Sequence, residues 1–469
     1  MISIVDMRHA RDCVLSEIET GRPIIPQPFD YEVLRALTDQ DLADILSHAH
    51  QWETVKPEII QFPKADGQSY RTAHYISPKD RVLVTAILIA EYQKIYEAVA
   101  PYNGTVNYDR PLPAQGLRYF LEADYHDTYV AFKNRIWSDE RDEKWIVHTD
   151  IRQFAPSCQP SYLMSQFKEI GFGTAHLDIL DNIFNQWAAQ GVEGVPQGYV
   201  FTDIMLKIYL MNTDQYFTNN DRVSYYRYVD DIIITTESKD EAKEAVDKLR
   251  EQLGACGLSI KETELHYAKP GETGHGHSYQ PASQIEAIKT TLDEMRRLHP
   301  AFANQPEPTT QDLIRIAYQR FMSPRNADAE QRPKYLISYL LRQMRAHDMD
   351  DFVGDMKGLI EKYPDRTFKL LKSAVDVVEA TKALNGLTPI FFNPEELDDK
   401  RKDGIRLEYL SVLRRENYQV SQYDLIRIQR ALNRILEERS IFKQFQGDVQ
   451  HHYRMRFQSK PSEGSALNF

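Results

Sequence analysis

Tyr225-Tyr-Arg-Tyr-Val-Asp-Asp-Ile-Ile-Ile-Thr-Thr236 is the stretch whose reading decides the fold. Aromatic and β-branched residues stand on either side of Val-Asp-Asp, the side-chain types that fit a pleated, half-buried surface. The run therefore reads as two strands, Tyr225–Tyr228 and Ile232–Thr236, joined by a tight acidic turn. Adjacent carboxylates between apolar strands repel one another, and burying them is costly unless a cation is present. Aspartate is also a good turn former, so the pair alone reads equally well as a plain acidic hairpin.

Two features upstream separate those readings. Trp145–Thr149 is a short apolar strand that ends in Asp150, followed by Ile-Arg-Gln-Phe. Gly194-Val-Pro-Gln-Gly198 is a turn that leads into a helix over Phe201–Asn212. Transfer of a nucleotide to a hydroxyl needs two divalent cations about 4 Å apart, held by carboxylates. Hard oxygen donors suit magnesium. Asp150, Asp230 and Asp231, delivered by separate strands, supply such a set, so two Mg2+ ions are the expected cofactors.

Around this core the periodicity predicts helices over Tyr31–His50, Asp80–Val99, Ser161–Gly171, Leu177–Ala189 and Lys239–Cys256. Phe62–Ile76 reads as a hairpin around Ala65-Asp66-Gly67. A strand returns over Leu258–Tyr267. From Gln284 onward the pattern is almost wholly helical, over Ile285–Leu298, Thr310–Met322, Lys334–His347, Phe352–Tyr363, Asp365–Leu384, Arg406–Glu416 and Leu425–Phe445. The lengths suggest stacked helix pairs. The division expected is residues 1–284 as an α/β unit and 285–469 as an all-α, repeat-like one.

With 469 residues, 42% hydrophobic and 27% charged, the chain has the composition of a globular protein of more than one unit. No run approaches the roughly 18 apolar residues of a membrane span. Cys13, Cys158 and Cys256 are far apart, which excludes a disulfide framework or zinc ribbon and fits a reducing compartment. With no export signal at Met1-Ile-Ser-Ile, the expected location is the cytoplasm, with no membrane partner. The net charge of −12 confines any nucleic-acid path to a local basic groove. His275-Gly-His277 and Asp398-Asp-Lys-Arg-Lys-Asp403 read as solvated loops.

These segments resemble, in order, the motifs of reverse transcriptases. Phe62-Pro-Lys-Ala-Asp-Gly-Gln-Ser-Tyr-Arg71 and Ser77-Pro-Lys-Asp-Arg-Val-Leu-Val-Thr-Ala86 resemble the fingers motifs. Asp150-Ile-Arg-Gln-Phe-Ala-Pro-Ser157 resembles the first aspartate motif, and Gly194–Gly198 the turn against nucleotide and template. Tyr-Val-Asp-Asp resembles the catalytic box, and Gly257-Leu-Ser-Ile-Lys-Glu-Thr-Glu264 the strand after the palm helix. The fold implied is a right-hand polymerase core of fingers and palm, ahead of the helical region. The resemblance implies Asp150 and Asp230 as metal ligands with Asp231 in support, and the carbonyl of Ile151 beside them. It implies Lys64 and Arg71 as a triphosphate clamp, and Gln197, Gly198 and Ala155 around the nucleotide. Ala155 stands where most of the family has an aromatic residue against a ribose 2′-OH, so looser exclusion of ribonucleotides is expected. Lys79 and Arg81 read as solvated bases. Lys261 stands early for the lysine expected in the last motif.

A core of this kind followed by a large helical region resembles the abortive-infection reverse transcriptases of bacteria and prophages, the AbiK-like group and its P-two-type prophage form. That resemblance implies dNTP polymerisation without a template, primed by a protein hydroxyl, with single-stranded DNA left covalently attached, in a homo-oligomer serving phage defence. Tyr31, at a helix start ahead of the fingers, is the expected priming residue. A templated, retron-like polymerase and a non-catalytic, nucleic-acid-binding oligomeric scaffold are the rival readings.

Overall fold

The structure is a computed structural model of the chain, and it describes residues 2–19, 30–64, 69–103, 106–109, 111–117, 128–129, 131–132, 134–136, 144–261, 266–268, 309–322, 334–379, 383–384, 386–415, 422–435 and 442. Its strands are β1 (Glu58–Pro63), β2 (Tyr70–Tyr75), β3 (Trp145–Asp150), β4 (Ser224–Tyr228), β5 (Asp231–Thr236) and β6 (His266–Ala268). β1 pairs with β2, and the other four form an antiparallel sheet in the order β4-β5-β3-β6. The Asp-Gly turn at 65–68, the helix expected over Ile285–Leu298, the His275–His277 loop and the tail after Phe457 lie outside the described residues.

Two compact units make up the chain. One is Met1–Ile59 with Ala73–Ser278, the other Ile60–Thr72 with Tyr279–Phe469. The boundary expected at 284 takes no account of the β1–β2 hairpin, whose Ile60–Thr72 portion groups with the C-terminal helices. A glycine shows why. A Cβ on Gly404 would fall 2.5 Å from the Gln61 carbonyl oxygen and 2.6 Å from the Phe62 ring, so the strand lies directly on that backbone.

In the first unit, side-chain alternation divides the four-stranded sheet into two faces. Tyr225, Arg227, Ile232, Ile234, Val147 and Thr149 point one way, and all are buried. The helix Lys239–Ala255 lies against β5 and β3. It buries Ala242, Ala245, Val246, Leu249 and Leu253, an apolar stripe at helical spacing. Ser238 and Glu241 close its start as a capping box. On the opposite face Tyr226, Tyr228, Ile233 and Ile146 pack with Phe132 and Ile136. His148, Asp150 and Asp231 continue that face and remain partly open.

Two long helices expected from periodicity are each broken. Tyr31–His50 divides into Asp30–Ala36 and Asp39–Ser47, because Thr38 and Asp41 form a capping box that starts a new helix. Asp80–Val99 divides at Glu91, whose carboxylate accepts from Gly173 N at 2.8 Å and meets His176 Nδ1 at 2.6 Å. Arg81, expected as a solvated base, is instead fully buried. It pairs with Asp30 at 3.0 Å and Glu17 at 3.2 Å, and its guanidinium lies 4.8 Å from the Tyr199 ring centroid. A buried charge is tolerable only when paired in this way.

Apart from the strand segment Ile60–Thr72, the described residues of the second unit are mostly helical. Thr367–Val377 packs against Lys334–Ala346 and Asp403–Arg415. The charge run at 398–403 keeps Asp398 and Arg401 exposed, includes the short helical turn Lys400–Lys402, and is tied at its end to a buried arginine. Arg406 is fully buried and donates to the carbonyl oxygens of Phe391, Glu396 and Asp399, and to the Asp403 carboxylate at 2.7 Å. Those bonds satisfy carbonyls that the ends of short helical turns leave open.

Candidate active site

The sheet register brings two of the three aspartates together. Asp150, the last residue of β3, is the direct partner of Asp231, the first of β5. Directly opposed residues of an antiparallel pair share a face, so both carboxylates rise from the partly open side. Asp230 sits in the turn between β4 and β5, and its carbonyl accepts from Ile151 N at 3.1 Å. The strand after Asp150 is held on its other edge. Arg152 N donates to Ser259 O at 2.8 Å, Ile151 bridges Ile260, and Lys261 N donates to Asp150 O at 2.9 Å.

The acidic turn is strained and braced. Val229 has φ +58°, the left-handed region that a β-branched residue avoids. Arg227 Nη1 donates to the Val229 carbonyl at 3.1 Å. The same guanidinium grips Asp214 through Nε at 3.0 Å and Nη2 at 2.6 Å, and both side chains are buried. A bidentate buried pair of this kind fixes direction as well as charge. The arginine on the apolar face thus holds the turn that presents Asp230.

Charge crowding is visible in the turn. Burial, and then the neighbouring Asp150 and Asp231 charges, push the Asp230 carboxyl up to about 6. Lys261 Nζ lies 2.8 Å from Asp150 Oδ2. His148 Nε2 lies 3.9 Å from Asp231 Oδ1. The sequence reading missed both partners. The period of two in β3 places His148 on the face of Asp150, and that signal was available. The contact of Lys261 depends on the strand pairing.

The Gly194–Gly198 turn packs on the segment that follows Asp150. Val195 N donates to the Ala155 carbonyl at 3.0 Å. Gly194 has φ +64°, and a Cβ there would fall 2.2 Å from the Ala155 oxygen. Glycine is required on both counts. Ala155 and Phe154 are buried beneath this turn. Gln197 and Gly198 are half-buried, and Tyr199 locks the far end, donating to His74 O and accepting from Ile76 N, each at 2.8 Å.

Lys64 and Arg71 are exposed and belong to the second unit, whereas the aspartates, Gln197 and Gly198 belong to the first. Tyr31 is the second residue of the helix Asp30–Ala36, and its hydroxyl accepts from Arg35 Nη1 at 3.3 Å. Among the described residues no three His, Cys, Asp or Glu side chains converge to hold a metal ion, and no helix is long and apolar enough to cross a membrane. The donor chemistry nonetheless fits a hard divalent cation: carboxylate oxygens crowded enough to raise Asp230 gain from added positive charge.

Residues 62–272 match the family model "Reverse transcriptase (RNA-dependent DNA polymerase)". No curated protein matches the chain. Among solved structures, telomerase from Candida albicans with a TWJ fragment of telomeric RNA aligns at 10% identity over 90% of this chain and 69% of that one, with a TM-score of 0.35. Apo telomerase from Candida tropicalis aligns at 11% identity over 86% and 69%, with a TM-score of 0.34. The aspartates, their strands and the glycine turn all fall within the matched span, and the chain carries a reverse-transcriptase domain, which makes it a nucleotidyltransferase.

Proposed function

We propose that the chain is a magnesium-dependent DNA polymerase that extends from a protein hydroxyl without an external template and serves antiphage abortive infection. The observation that carries the catalytic part is the register of Asp150 against Asp231, with Asp230 in the braced turn beside them. Template independence, protein priming, homo-oligomerisation, defence and a cytoplasmic location rest on the resemblance to the abortive-infection enzymes. The division into a polymerase domain over 1–284 and a helical domain over 285–469 is part of the same proposal.

In this reading Asp150 and Asp230 would hold two Mg2+ ions, with Asp231 and the Ile151 carbonyl in support. Bound there, the ions would lower the pKa of the attacking hydroxyl and offset charge on the triphosphate. Lys64 and Arg71 grip the triphosphate, one as a point charge and the other as a planar fork. Ala155, Gln197 and Gly198 line the nucleotide, and the buried Arg227–Asp214 pair keeps Asp230 in place. The priming oxygen attacks the α-phosphorus of a dNTP, the bond to the leaving pyrophosphate breaks, and the hydroxyl proton passes to solvent.

The test is purified full-length chain with Mg2+ and labelled dNTPs, without primer or template. Label covalently on the protein, abolished in Asp230→Asn, is the expected result. Label only on added primed RNA would replace this reading with a templated polymerase. No incorporation under either condition, with cellular function intact in Asp230→Asn, would leave a scaffold. Mass spectrometry of the adduct locates the primer, and an adduct away from Tyr31 removes that residue.

A further inference from the structure

We propose that Lys261 is the resident counter-ion of the acidic centre, its ammonium holding the Asp150 carboxylate until a divalent cation takes that oxygen. The inference rests on the reading that Asp150 binds the cation. Lys261 is attached to Asp150 twice: its backbone N–H donates to the Asp150 carbonyl at 2.9 Å, and its Nζ lies 2.8 Å from Oδ2. The first bond belongs to a short ladder with Arg152 N to Ser259 O and the Ile151–Ile260 bridge, so the lysine backbone is fixed against the end of β3. The side chain is less confined, 36% exposed against 15% for Asp150. One end is thus anchored, and the charged end lies on a flexible four-carbon stem that can leave.

The chemistry favours exchange. An ammonium at 2.8 Å occupies an oxygen that a cation bound to Asp150 would use, so the two compete for one place. Lysine suits the task better than arginine. A point charge is released in one movement, whereas a fork would hold both carboxylate oxygens. His148, 3.9 Å from Asp231, faces the other carboxylate and does not reproduce this contact.

The experiment is Mn2+ binding to the full chain without nucleotide, read from the electron paramagnetic resonance signal of the free ion. Lys261→Met is expected to bind Mn2+ about ten-fold more tightly than the wild type. It is also expected to melt at lower temperature in chelator, with Mn2+ restoring the loss. Lys261→Arg is expected to bind more weakly. Unchanged or weaker binding by Lys261→Met overturns the proposal and leaves the metal reading standing, provided Asp150→Asn loses binding. If Asp150→Asn binds like the wild type, both readings fall. A second readout needs no variant: acetylation of Lys261 in the wild type, followed by peptide mass spectrometry, is expected to rise several-fold when Mg2+ is added. Equal labelling with and without Mg2+ also overturns the proposal.

Discussion

The two faces of the four-stranded sheet follow the same alternation and carry opposite contents. One face holds Arg227 among Tyr225, Ile232, Ile234 and Val147, all buried. The other leads from Tyr226, Tyr228 and Ile146 to the half-open group of His148, Asp150 and Asp231. Both faces contain ionised side chains, and their surroundings decide what those charges do. On the closed face an arginine must be paired, and the pair becomes a brace. On the open face acids can remain crowded, because water or a cation can reach them.

The contrast is most sharply broken at Arg227. Arg227→Met leaves Asp214 buried without its partner and frees the Val229 carbonyl. Breaking one side of a buried pair costs about 3–5 kcal/mol. Urea denaturation is expected to show a loss of that size, together with loss of nucleotide incorporation, since the turn presenting Asp230 is no longer held. A loss below about 1 kcal/mol, the range of an exposed pair, would show that the closed face is not closed.

What the sequence disclosed and what it withheld divide along physical lines. Local alternation and the acid pair made β3, β4, β5 and their aspartates legible, since a strand states its own period. The helix Lys239–Ala255 was legible for the same reason. Arg81 was not. A charged residue beside Lys79 reads as surface, and its partners Asp30 and Glu17 lie 51 and 64 positions away. Spacing from Gly257 says little about Lys261, whose contact is set by pairing with a strand 111 residues earlier. The break at Glu91 has a similar origin, because His176 comes from 85 residues away. The break at Thr38 differs. Thr38 and Asp41 stand at capping-box spacing in the sequence, and a continuous apolar period masked them.

Asp230 tests the open side of the comparison. Its carboxyl titrates at about 6 in the fold against an ordinary 3.8, so the folded state binds more protons than the unfolded between those values. This group's contribution to stability is therefore greatest below about pH 4. It declines as pH rises through about 6 and stays at its lower level above that. Asp230→Asn removes the dependence. In chelator at pH 7 the variant is expected to be more stable than the wild type by about 1–3 kcal/mol, while losing incorporation. Unfolding free energies measured from pH 4 to 8 check the sign. A variant that keeps the wild-type slope assigns the titration to another residue.

The smallest effect is expected at His148, and there the comparison is most exposed to refutation. His148 is directly opposite Ile233 and lies two positions before Asp150 in the same strand. Its 3.9 Å approach to Asp231 is made with side chains 34% and 44% exposed. A pair so open to water contributes about 0–1 kcal/mol. His148→Leu is therefore expected to shift unfolding free energy by no more than about 0.5 kcal/mol. Arg227→Met differs from it by two strand positions, with β5 between, by a face and by several-fold in cost. If His148→Leu proved as damaging as Arg227→Met, position on the sheet would matter less than membership in a single charged network spanning both faces. The half-open acids would then be part of the brace instead of the group it presents.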